Sequence, residues 1–119
     1  MDERKPEKRI ETSRVWEFLN DQTIRIPEII VYTEEDFNGI EFRTNCDVVF
    51  VGDRLNEKIK SIVVVCGIWE FYKFAEFSRG NLANYTIPIL LKPGYYNNWD
   101  SNETEFSIKD ISSFKCIIP

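Results

Sequence analysis

Tyr32-Thr33-Glu34-Glu35-Asp36-Phe37-Asn38-Gly39 sets an aromatic residue, four intervening residues, a second aromatic, one further residue and then a glycine. The segment lies between two β-type runs, so it reads as a tight hairpin bracketed by aromatic side chains. The same order begins again at Gly67-Ile68-Trp69-Glu70-Phe71-Tyr72 and continues to Phe77 and Gly80. Two such passages define an internal repeat of about 40 residues, the feature that organises everything around it.

Outward from these hairpins, short runs rich in Val, Ile, Phe and Tyr alternate with clusters of Gly, Asn, Asp and Pro. They predict strands at residues 28–33, 39–44, 47–51 and 61–66, then 68–74, 83–91, 94–98 and 111–118. The eight fall into two groups of four that meet at Cys66-Gly67, one over residues 28–66 and the other over 67–119. Each group has a strand ending in an aromatic hairpin, a second strand, a short third, a long loop and a last strand. Four antiparallel strands with a long return connection form a Greek key, and two keys facing each other form an all-β sandwich around one apolar core.

Further motifs narrow this. Gly67-Ile68-Trp69 followed by Tyr72 and Phe77, together with Pro93-Gly94-Tyr95-Tyr96-Asn97-Asn98-Trp99, resembles the βγ-crystallin family. Tyr32, Phe37 and Gly39 resemble that family's folded-hairpin signature, in which Gly39 would supply a positive φ that a side chain penalises. Gly80 falls one residue late relative to Gly39, which predicts a bulged or loosened second hairpin. Trp69 and Trp99 are expected to be core packing residues. The resemblance covers residues 28–118 and omits the first 27.

The resemblance also implies calcium loops just before the fourth strand of each key. Calcium takes six to eight oxygen ligands. The corresponding residues are Asn56-Glu57-Lys58-Ile59-Lys60-Ser61 and Ile108-Lys109-Asp110-Ile111-Ser112-Ser113. In the first, Lys60 replaces a ligating hydroxyl with an ammonium, which has no acceptor and repels the ion. In the second, Ile108 and Lys109 replace both leading oxygen donors, while Ser112 is kept. The family pattern would pair Ser112 with the region of Glu34, and Asn56-Glu57 with Phe74. On this reading the loops are degraded, and calcium at millimolar concentration leaves the melting temperature nearly unchanged. The run Glu34-Glu35-Asp36 reads as a solvated turn.

Composition excludes much else. There is no histidine, which removes the commonest general base, the serine and cysteine nucleophile pairs built on it, and histidine-containing zinc sites. No catalytic constellation and no cofactor motif is present; Glu103 and Glu105 fall in a surface-type loop. A net charge of −5 disfavours nucleic acid, and no apolar run is long enough to span a bilayer. Cys46, Cys66 and Cys116, at spacings of 20 and 50, form no metal or redox unit and are expected to be buried free thiols. Three tryptophans, five tyrosines and nine phenylalanines predict an aromatic-rich core.

The first 14 residues are mostly charged and predict a frayed tail, with no apolar signal stretch, which places the protein in the cytoplasm. Val15-Trp16-Glu17-Phe18-Leu19 then carries enough apolar weight to dock as an arm, before the polar Asn20-Asp21-Gln22. The leading expectation is a non-enzymatic structural or stress-related protein. One alternative is a calcium-modulated binding module using one imperfect site. Another is an interaction protein that self-associates through its arm, docked in cis or in trans.

Overall fold

The computed structural model describes residues 26–100 and 105–119. The expected arm at residues 15–19, the tail before it and Glu103 lie outside these. Among the described residues there are seven strands: β1 (Glu28–Glu34), β2 (Asn38–Thr44), β3 (Ser61–Cys66), β4 (Ile68–Tyr72), β5 (Ile89–Leu91), β6 (Gly94–Asn97) and β7 (Ser113–Ile118). All pairings are antiparallel, in a four-stranded sheet of order β2-β1-β3-β6 and a three-stranded sheet of order β5-β4-β7.

The expected Greek-key sandwich is there, with one arrangement that spacing did not reveal. The third segment of each key lies in the other key's sheet. β6, from the second key, pairs with β3 of the first, with Ile62 opposite Tyr96. Val48, from the first key, bridges to Phe114 of β7. The halves are therefore tied together through backbone as well as through their shared core.

One expected strand is reduced to a single bridge, and another is shorter than its sequence suggested. Within residues 47–51, the backbone of Val48 exchanges two hydrogen bonds with Phe114, at 2.8 and 3.0 Å, but its neighbours turn to other partners. The Val49 carbonyl accepts from Glu76 N at 2.7 Å, and Val51 N donates to the Ser112 carbonyl at 2.8 Å. Of residues 83–91, only Ile89–Leu91 is strand. Before it, Asn81 Oδ1 accepts from the nitrogens of Ala83 and Asn84, and Asn84 Oδ1 accepts from Asn81 N. Side-chain acceptors thus take the donors that a ladder would need. The hairpin of the second key opens into this loop, whereas that of the first returns directly as β2, so the second key is the less regular.

The core lies between the sheets. Ile29, Val31, Ile62 and Val64 face Trp69, Phe71, Leu91 and Phe114, all buried. Phe114 sits 5.9 Å from Trp69 and 5.5 Å from Phe71, centroid to centroid. Such ring pairs add about 0.5–1.5 kcal/mol each beyond area burial. Both tryptophans pack with their indole N–H satisfied: Trp69 Nε1 donates to the Cys66 carbonyl at 3.0 Å, and Trp99 Nε1 to the Phe106 carbonyl at 2.8 Å. The thiols depart from expectation. None is in a disulfide, but Cys46 is exposed and Cys66, at the end of β3, and Cys116, within β7, are half-buried.

Candidate functional site

The two hairpins are built alike. In the first, Asp36 and Phe37 take φ of 58° and 63°; in the second, Glu76 and Phe77 both take 59°. A left-handed backbone costs a residue with a side chain roughly 1–2 kcal/mol, so something must hold each hairpin. The last serine of each loop does so. Ser61 Oγ donates to the Glu34 carbonyl at 2.6 Å and accepts from Phe37 N at 3.0 Å. Ser113 Oγ donates to the Phe74 carbonyl at 2.6 Å and accepts from Phe77 N at 3.0 Å. Both serines are fully buried. Aromatic contacts close the same turns, Tyr32 on Phe37 at 5.9 Å and Tyr72 on Phe77 at 5.7 Å. Gly39 follows with φ of +85°, as its place after the hairpin requires.

The residue before each serine is placed just as symmetrically. Lys60 N donates to the Tyr32 carbonyl at 2.9 Å, and the Lys60 carbonyl accepts from Asn98 N at 2.8 Å. Ser112 N donates to the Tyr72 carbonyl at 2.9 Å, and the Ser112 carbonyl accepts from Val51 N at 2.8 Å. Each of these residues therefore sits between its own key's hairpin and the third segment of the other key.

This crossing keeps one pairing expected from sequence, Asn56-Glu57 with Phe74, and corrects the other. Ser112 lies with Phe74, Asn56 and Glu57, not with Glu34. Together with Lys73 and Asp110 they line one cleft of about 200 Å³. Glu34 is instead beside the Lys60–Ser61 end of the other loop. There Ile108 N donates to the Trp99 carbonyl at 3.2 Å, next to the Asn98 that holds Lys60. The two loops lose different parts, but the crossing collects Lys60 and Ile108 at one end, whereas Lys109 reaches Asp110 of the other. The surviving oxygen donors collect at the other.

The two ends differ in what they can hold. At the first, the Asn56 amide, the Glu57 carboxylate, the Ser112 hydroxyl and the Asp110 carboxylate offer the hard oxygens that calcium takes. Glu57, with φ of 62°, turns the loop at this point. Lys73 brings an ammonium to the same cleft, its Nζ 5.9 Å from the Phe74 ring centroid. Lys109 Nζ lies 3.6 Å from Asp110 Oδ1, with over half of the Lys109 side chain in solvent. At the second end the residues do not fit a cation. Ile108 is 1% exposed and belongs to the core, so it fills space where a donor would stand. Sequence reading missed Asp110 and Lys73 as cleft residues. Asp110 was visible inside its loop, but only the crossing aims it at the partner loop. Among the described residues, no three His, Cys, Asp or Glu side chains cluster to hold a metal.

Comparison with known proteins gives the geometry its context. Residues 28–117 match the family model described as Beta/Gamma crystallin. Beta-crystallin B1 of Bos taurus is 29% identical over 92 residues, which is 76% of this chain and 33% of the relative. The chain thus spans about a third of the length of such curated relatives. A betagamma-crystallin from an archaeon superposes with a TM-score of 0.62 at 33% identity, covering 78% of this chain and 100% of the other. A beta gamma crystallin from Ciona intestinalis, at 24% identity and a TM-score of 0.60, covers 75% of this chain and 98% of its own and shares the fold.

Proposed function

The chain belongs to the beta/gamma crystallin family, and we propose from that premise that it is a non-enzymatic structural, stress-related domain keeping one weak calcium site. The observation that carries the reading is the crossing of the two loops, which brings Asn56, Glu57 and Ser112 to one cleft. Asn56, Glu57, Asp110 and Ser112 would hold the ion, and calcium bound there would brace two loops of different keys against each other. Affinity is weak because Lys73 shares the cleft and Lys109 competes for Asp110, so a dissociation constant of about 10⁻⁴–10⁻³ M fits, the range of low-affinity modules. At a concentration equal to that constant the native state gains only ~0.4 kcal/mol. A nearly unchanged melting temperature at millimolar calcium is then compatible with a site at the weak end of that range, whereas a constant of about 10⁻⁴ M would add about 1.4 kcal/mol. The acidic net charge of −5 supports solubility by repulsion, and three thiols outside any disulfide fit a reducing compartment such as the cytoplasm.

Titration calorimetry with calcium tests this. One binding event is expected for the native chain, lost in Ser112→Ala and kept in Lys60→Ser, since Lys60 lies at the other end. Absence of heat in the native chain up to ten millimolar, or equal binding by Ser112→Ala, would overturn the proposal.

A further inference from the structure

β2 is the terminal strand of its sheet, and its inner face is uncovered. Phe42 lies opposite Val31, a fully buried core residue, so it points to the side of the sheet that faces the core. Ile40, two residues earlier, shares that side. Yet Ile40 is 53% and Phe42 37% exposed. Between these two side chains and the turn carrying Val51 and Leu55 runs a groove of about 310 Å³. That is near the bottom of the range of ligand clefts, roughly 300–1,000 Å³, and suits a pair of side chains.

We propose that Val15-Trp16-Glu17-Phe18-Leu19 of the same chain docks in this groove. The point where the described chain begins supports a cis arrangement. Ile26 and Pro27 lie against Arg43 and Thr44, at the end of β2. From Ile26 back to Leu19 are seven residues, which reach about 23 Å when extended. Phe42 is only two strand residues from Thr44, or about 7 Å. Charge is also compatible: Glu41, Asp53 and Arg54 stand at the groove, and the segment carries Arg14 just before it, to meet the carboxylates, and Glu17 within it, to meet Arg54. An apolar segment laid along β2 would shield the sheet's open edge, which natural sheets otherwise leave prone to pairing with other chains.

The test is acrylamide quenching of tryptophan emission in the full chain. Trp69 and Trp99 are buried, at 0% and 8% exposure, so Trp16 is the tryptophan that reports. Comparing the native chain with Trp16→Phe isolates its signal. A docked arm predicts a shielded Trp16. Phe42→Asp should then raise quenching severalfold, and adding Trp16→Phe to that variant should return it to the low value. A Trp16 freely quenched in the native chain overturns the proposal. So does shielding that vanishes on dilution together with a halving of mass, since a second copy would then be supplying the arm. The first comparison needs no groove variant, so a failure of Phe42→Asp to fold leaves the proposal open to refutation.

Discussion

Gly39 and Gly52 have almost the same backbone angle, +85° and +87°, but different surroundings, and substituting each by alanine separates two costs that usually arrive together. A Cβ on Gly52 meets nothing within 4 Å. Only the left-handed penalty applies there, about 1–2 kcal/mol, partly offset by the ~0.4–1 kcal/mol that alanine gains by restricting the unfolded chain. Gly52→Ala should therefore lose about 1 kcal/mol. A Cβ on Gly39 would stand 2.5 Å from Thr33 Oγ1, 2.7 Å from Glu34 Cγ and 3.1 Å from Glu34 N. Thr33 Oγ1 cannot yield freely, because it accepts from Ile40 N at 2.8 Å and fastens the start of β2. Displacing it adds a lost hydrogen bond and overpacking, about 2 kcal/mol together, for a total near ~3 kcal/mol. Urea unfolding of the two variants beside the native chain, with unchanged m, gives both numbers. If the two alanines cost the same within ~0.5 kcal/mol, a gap smaller than any overpacking cost, the hairpin contact assigned to Gly39 is wrong; Gly39→Val should be worse than Gly39→Ala.

Three further outcomes follow from the same geometry. Ser113→Ala leaves the Phe74 carbonyl and Phe77 N without their partner and should cost about 2–3 kcal/mol, with Ser61→Ala similar by symmetry; calorimetric melting reads this, and a loss below half a degree in either would refute the serine clip. Ile108→Asn places an amide in a site that is 1% exposed, so it should destabilise by about 3 kcal/mol or more and create no calcium affinity; a stable variant that binds calcium would show that the second end was only missing its donors. Burial, and then the bond its hydroxyl donates to the Glu70 carboxylate, push the Tyr72 phenol well above its ordinary value of 10.0. The native state thus holds this proton more tightly than the unfolded chain, so the stability it adds is whole below pH 10 and is lost as pH climbs towards the folded value. Unfolding midpoints should fall from pH 10 upward, less steeply in Tyr72→Phe, and identical alkaline slopes would contradict this.

Much of the fold was legible because its determinants are local. The alternation of Val, Ile and Phe marks strands, Gly39 marks a backbone angle, and Tyr32 with Phe37, like Tyr72 with Phe77, marks a hairpin by spacing alone. Repetition then implied two keys and a sandwich. Strand limits at residues 47–51 and 83–91 were less legible, because the side chains of Asn81 and Asn84 and the carbonyl of Val49 bind partners that no periodicity registers. The candidate site was legible only in pieces. Sequence named Asn56, Glu57, Lys60, Ile108, Lys109 and Ser112, yet which of them meet depends on each key lending its third segment to the other's sheet. Hydrogen bonds between residues about sixty apart, such as Val51 to Ser112, make that choice, and it left one end with the oxygen donors beside Lys73 and the other with Lys60 and Ile108. Adjacent residues can declare a turn because the chain itself joins them, whereas a cleft between two loops exists only once packing has brought distant segments together.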